Sequence, residues 1–135
     1  MSKKIVLIAG PTASGKSKIA IEIAKKIKGE IINADSMQVY KEFSILTSRP
    51  STIDLKKIKH HLYGFQSAKK HFSTGAWLEL VKKQINKCLK NKKIPILVGG
   101  TGLYFEAIIK GLSKIPNIDS EIRDKIRDLQ KKIGQ

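Results

Sequence analysis

The chain has 135 residues, with 27 basic side chains against 11 acidic ones and a formal net charge of +16 at pH 7. That length fits one domain, and a composition of 41% apolar and 28% charged residues excludes a collagen-like, mucin-like or wholly disordered protein. No run approaches the roughly 18 apolar residues of a membrane span, and the basic start leads into too few apolar residues for a signal peptide, so a cytoplasmic protein with no membrane partner is expected.

The run from Lys4 to Ala9 is rich in β-branched residues and closes on Gly10-Pro11, which predicts a fully buried strand. Ile19, Ala20, Ile23, Ala24 and Ile27 then recur at helical spacing, with Gly29 as the stop signal. Glu30 to Ala34 predicts a second strand, and the helix between the two makes them a parallel pair. From Lys41 to Phe72 no period is sustained, and loop with short helices is expected. Trp77, Leu80, Val81, Ile85, Cys88 and Leu89 share one face of a predicted helix whose other faces carry Lys82, Lys83, Lys87 and Lys90, with Ser73 or Thr74 as its cap. Ile94 to Val98 predicts a third buried strand, which turns through Gly99-Gly100-Thr101-Gly102 into a helix from Leu103 to Lys110. Last comes a charged helical segment, 119–135, with Ile122, Ile126, Leu129 and Ile133 on one stripe.

Such alternation predicts a three-layer α/β domain around a mostly parallel sheet. Ligands of these sheets gather at the carboxyl ends of the strands. Three turns fall there, Gly10 to Ser17, Asp35 to Tyr40 and Gly99 to Tyr104, and they are expected to converge.

The first turn, Gly10-Pro11-Thr12-Ala13-Ser14-Gly15-Lys16-Ser17, fits G-x-x-x-x-G-K-[ST] between a strand and a helix, the pattern of a phosphate-binding loop in a P-loop NTPase-like domain. Its backbone amides and the helix N-terminus attract phosphate, Lys16 neutralises phosphate oxygens, and Ser17 can ligate Mg²⁺. The third strand ends in glycine rather than the aspartate that hydrolytic motors use, which favours group transfer over hydrolysis. Asp35 is placed to take a proton from an attacking hydroxyl or amine, and equally to cap a helix starting at Met37. The glycines after the third strand permit close backbone approach, and Thr101 offers a hydroxyl to a polar substrate.

The remaining chemistry-bearing residues read more blandly. His60 and His61 point apart on any regular element and cannot both face one metal without a loop; with no nearby cysteine and no paired acid, a zinc site is disfavoured and they read as a structural or RNA-facing loop. Cys88 and Trp77, on the apolar helix face, read as core. Lys56, Lys57, Lys59, Lys69 and Lys70 suit a solvated face or an RNA track equally.

GPTASGKS at 10–17, DSMQVY at 35–40 and GGTGLY at 99–104, in that order, closely resemble the bacterial tRNA dimethylallyltransferase family. The likeness extends through Arg49-Pro50-Ser51, His60 to Gly64, Phe72-Ser73 and Gly111-Leu112-Ser113. It implies transfer of a five-carbon group from dimethylallyl diphosphate to the exocyclic amine of an adenine beside the tRNA anticodon, with Mg²⁺ as cofactor and tRNA, through its anticodon arm, as partner. The resemblance makes Asp35 the base, with Lys16 and Thr101 beside it in catalysis. Ser36, Met37 and Gln38, together with Asp35 and Thr101, are where the family holds tRNA. The family continues for about as much sequence again, so the chain reads as an N-terminal part. On that reading 1–118 is an incomplete transferase core and 119–135 the start of a helical tRNA-binding insertion. A monomer is expected. Two alternatives share the loop: a small P-loop kinase that phosphorylates a metabolite with ATP, and an RNA-binding fragment without catalysis.

Overall fold

The computed structural model describes residues 4–44, 49–113, 116 and 118–134. In chain order its elements are β1 (Val6–Ala9), α1 (Lys16–Ile27), β2 (Gly29–Asn33), α2 (Thr52–Lys57), β3 (His60–His61), α3 (Thr74–Lys90), β4 (Ile94–Gly99), α4 (Gly102–Lys110) and α5 (Ser120–Ile133). The strands form one sheet, ordered β1-β4-β2-β3, in which every pairing is parallel. The expected α/β architecture is therefore present.

Two expectations about strands change. β1 and β2 run parallel but are not neighbours, because β4 lies between them and pairs with both. The physical reason is burial: β2 is buried along its whole length and β4 nearly so, whereas β1 alternates half-buried with exposed residues. Among the described residues β1 stands at the edge of the sheet and is not fully buried, with Leu7 and, just before the strand, Ile5 exposed. β3 was not foreseen; two histidines carry no apolar period, and only their register against Ile31 and Ile32 makes them a strand.

The pleat sends alternate side chains to opposite faces of the sheet. Ile32 and Leu97 meet Trp77, Val81, Ile85 and Cys88 of α3 and Tyr104 and Phe105 of α4. On the other face Ile31, Ile96 and Val98 meet Ala20, Ile21 and Ala24 of α1. Each large apolar side chain so buried contributes about 1.5–3 kcal/mol. α3 is capped by Ser73, whose hydroxyl accepts from the Ala76 amide at 3.1 Å, and it buries Leu78 more deeply than the expected Leu80. α1 stops one residue sooner than Gly29 suggests. Lys28 takes the left-handed cap conformation, and Gly29 opens β2, where a Cβ would press within 2.6 Å of the Ile96 side chain.

α5 forms where its spacing predicts, capped by Asp119, with none of its residues buried. Ile122, Ile126, Leu129 and Ile133 all stand exposed along it. Among the described residues no helix is long and apolar enough to cross a membrane.

Candidate active site

The carboxyl ends of β1, β2 and β4 are tied together by backbone hydrogen bonds. Gly10 N–H donates to the Gly99 carbonyl at 3.3 Å, Ala34 N–H to Val98 at 2.8 Å, and Thr101 N–H to Ala34 at 3.3 Å. This close approach is the reason for glycine at 99, where a Cβ would overlap the Ala34 carbonyl. The three turns converge as expected.

In the first turn, Ala13 and Gly15 have φ of 60° and 80°. Left-handed residues among right-handed ones shape backbone amides into a concavity that receives anions. Ser14 Oγ and Lys16 Nζ both donate to the Pro11 carbonyl, at 2.8 and 2.6 Å. One of the three Lys16 donors thus closes the loop on itself, and an ammonium group still has two to offer a ligand.

The second turn is built differently. Asn33, wholly buried at the end of β2, donates from Nδ2 to the carbonyls of Asp35 (2.9 Å) and Leu62 (3.0 Å) and accepts from the Asp35 amide at 2.9 Å. The Trp77 indole N–H donates to the Asn33 carbonyl at 3.0 Å, and its ring stacks on Tyr104 with centroids 4.0 Å apart. Asp35 Oδ1 accepts from the Met37 amide at 2.9 Å and, more weakly, from Gln38 at 3.4 Å. This is the capping geometry the sequence allowed, but it closes a turn, not a helix. The other carboxylate oxygen lies near Gly100, 3.8 Å from where a Cβ would stand.

Thr101 Oγ1 accepts from the Ser36 amide at 2.8 Å and donates to Ser36 Oγ at 3.2 Å, so its hydroxyl clips the second turn to the third. On its far side the second turn pairs with residues 64–66: Gly64 N–H donates to the Gln38 carbonyl and Gln66 N–H to Val39, both at 2.9 Å. Burial, with smaller contributions from Tyr40 and Asp35, pushes the Tyr104 hydroxyl up to about 12. Burial and then Asp35 raise Tyr63 as well. Both phenols therefore stay protonated at neutral pH.

A cleft of about 920 Å³ joins the first two turns. Thr12, Ala13, Ser14, Gly15, Lys16 and Ser17 line one wall, and Asp35, Met37 and Gln38 the other. Gly10, Pro11, Ser36 and Thr101 do not line the cleft: Pro11 accepts from Ser14 and Lys16, Gly10 bonds to Gly99, and Thr101 bonds to Ser36. Lys18, Lys25 and Lys57 add positive charge, and Phe43 adds an apolar surface. Lys57 and Asp54 come from α2, whose start is signalled locally: Ser51 Oγ accepts from the Asp54 amide at 3.2 Å and donates to its carboxylate at 2.8 Å, a reciprocal cap readable from S-x-x-D. That α2 borders the cleft has no local signal. Asn33 was missed too, for it looks like any polar strand end until its partners are seen.

The IPP transferase family model matches residues 38–135. A tRNA dimethylallyltransferase of Pelagibacter ubique is 64% identical over 132 residues, which make up 98% of this chain and 42% of that protein. One from Rhizobium rhizogenes is 49% identical over 123 residues, 91% of this chain and 41% of the relative. Among solved structures, the full-length tRNA isopentenylpyrophosphate transferase of Bacillus halodurans superposes with a TM-score of 0.81 at 32% identity, covering 97% of this chain and 44% of that one. A eukaryotic dimethylallyltransferase acting on tRNA gives a TM-score of 0.78 at 32% identity over 91% of this chain and 32% of that one. The chain spans about two-fifths of the length of the curated relatives it matches. A family match that covers α2 to α5, joined to a backbone likeness running back through the phosphate loop, shows that the chain belongs to the IPP transferase family.

Proposed function

We propose that the chain carries the catalytic core of a tRNA dimethylallyltransferase, moving the dimethylallyl group of dimethylallyl diphosphate to the exocyclic amine of an adenine next to the anticodon. The observation that carries this reading is the shared cleft: a phosphate-type loop and a carboxylate face each other across one space large enough for a donor and a base.

The loop amides and Lys16 bind the diphosphate and stabilise the charge it gains as the allylic carbon–oxygen bond breaks and the electron pair leaves with oxygen. The adenine amine supplies the lone pair for the new carbon–nitrogen bond, and its proton passes to Asp35. Asp35 Oδ1 is held by the Met37 and Gln38 amides, so the oxygen beside Gly100 is the one that receives it. Thr101 orients this carboxylate's turn through Ser36. Met37, half-exposed on the cleft wall, gives the extruded base a soft apolar surface with Gln38 beside it on that wall, and Ser36, the residue before Met37, holds the turn that presents them. Ser17 places a hard oxygen on the phosphate wall, and this suits Mg²⁺, which takes few protein ligands and prefers phosphate oxygens and water. When bound through Ser17, Mg²⁺ would neutralise charge on the leaving diphosphate.

We propose that the chain acts as a monomer. The lysines around the cleft would meet the phosphates of the anticodon arm. The exposed helix α5 is read as the start of the part that grips that arm.

The test is to incubate the chain with labelled dimethylallyl diphosphate, Mg²⁺ and unmodified tRNA, beside a parallel reaction with labelled ATP and candidate metabolites. Label on an adenine of tRNA supports the reading. Phosphate transfer to a metabolite supports the kinase instead, and RNA binding that survives Lys16→Ala without any transfer supports the non-catalytic fragment.

A further inference from the structure

A second cluster of chemistry-bearing side chains lies at the opposite end of β2 from Asp35. Glu30 is the second residue of that strand, His61 comes from β3 beside it, and Cys88 comes from α3, which packs on β2 and β4. His61 Nε2 is 2.6 Å from Glu30 Oε2, Cys88 Sγ is 3.5 Å from the same oxygen, and the three ligand atoms all lie within 4.8 Å of one another. We propose that Glu30, His61 and Cys88 form a binding site for a divalent transition-metal ion of the Zn²⁺ class.

Three features support this assignment. The donor set is one thiol, one imidazole and one carboxylate, which selects Zn²⁺ and its neighbours over Mg²⁺ or Ca²⁺. Tetrahedral bonds of zinc length place such donors about 3.3–3.6 Å apart. The sulfur–oxygen distance already matches, and the nitrogen–oxygen pair needs to open by several tenths of an ångström. Charge also balances, since carboxylate and thiolate together neutralise a divalent cation in a place where unpaired charge is costly. Binding exchanges the thiol proton of Cys88 for the metal–sulfur bond and releases that proton to water. Water completes the fourth position.

The surroundings are arranged as a supporting shell. Gln84 Nε2 approaches the sulfur at 3.7 Å as an amide donor, the kind of contact that steadies a metal-bound thiolate. The Glu30 and His61 side chains keep 11% and 12% of their surface exposed, which leaves an entry path while Cys88 is wholly buried. A metal here would join β2, β3 and α3, and so fasten a two-residue edge strand that leads directly into Leu62 and the segment supporting the Asp35 turn.

The site is remote from the cleft and its test needs no turnover. The chain, stripped with chelator, is titrated with Co²⁺ and then Zn²⁺. One equivalent of Co²⁺ is expected to give a thiolate-to-cobalt charge-transfer band that Zn²⁺ erases, and Zn²⁺ is expected to raise Tm by several degrees. Cys88→Ala should abolish the band and weaken Zn²⁺ by more than the roughly 10–100-fold lost with a supporting partner. A band that persists in Cys88→Ala, or no band at one equivalent, overturns the site and leaves a hydrogen-bonded triad. Should that variant fail to fold, zinc-edge X-ray absorption of the unaltered chain decides: one sulfur neighbour supports the site, and a shell of only nitrogen and oxygen overturns it.

Discussion

The two walls of the cleft are made in opposite ways. The phosphate loop is held by its own short-range bonds, Ser14 and Lys16 reaching back to Pro11, and its residues are mostly exposed. The Asp35 turn is held by partners far away in sequence: Leu62, Trp77 and Thr101, with Gly64 and Gln66 on its other side. One wall is a backbone shape that a ligand completes; the other is fixed before any ligand arrives. Catalysis by a positioned base needs the second kind, whereas an anion can organise the first.

The largest effect should come from removing the charge of the fixed wall without moving it. Asp35→Asn keeps the Oδ1 acceptor for the Met37 and Gln38 amides, so transfer to tRNA should fall by about 10²–10⁴-fold while dimethylallyl diphosphate binding, followed by calorimetry, stays close to normal. Unchanged transfer would remove Asp35 from the role of base.

Glycine replacements sharpen the contrast in stability. Gly99→Ala drives a methyl group into the Ala34 carbonyl and should cost about 3 kcal/mol in denaturant unfolding. Gly15→Ala meets no atom within 4 Å and pays only for its left-handed φ of 80°, about 1–2 kcal/mol. Equal losses would mean that the two turns are not built differently.

A smaller effect isolates the clip between turns. Thr101→Val keeps shape but removes the acceptor of the Ser36 amide, and should cost about 1 kcal/mol of stability. In a transfer assay kcat should fall with little change in the KM for the diphosphate.

The smallest effect is on pH. Burial lowers His60 from its ordinary value of 6.5, so the unfolded chain takes up that proton first and stability should decline as pH falls below about 6.5. Burial pushes the Glu30 carboxyl up, but hydrogen bonds from His61 and Cys88 outweigh this and hold it below its ordinary 4.5. Its contribution is present above that value and is lost as pH falls further. Thermal melts from pH 7 to pH 3 should show both steps, and His60→Gln should erase only the upper one.

What could be read in advance follows the same division. The phosphate loop was legible because its pattern, flanking strand and helix are contiguous. The place of Asp35 was legible because a strand end dictates it. The partners of Asp35 were not, since Asn33 and Thr101 act through contacts with Leu62 and Ser36 that the linear order does not reveal. Strand order was missed because it depends on which strand is buried on both faces, and the run from Lys4 to Ala9 looks as apolar as the one from Ile94 to Val98. The pairing of His61 with Glu30 and Cys88 joins residues 31 and 58 positions apart through one carboxylate, and it exists only once β3 and α3 are in place.

Trp77 is the chain's single tryptophan, and it lies between the Tyr104 ring and the Asn33 carbonyl. Indole emission, excited selectively over the three tyrosines, therefore has one source, seated directly beneath the turn that carries the carboxylate. Any ligand that pulls on that turn shifts the environment of the indole, so occupancy and local melting can be followed by emission in the unlabelled protein.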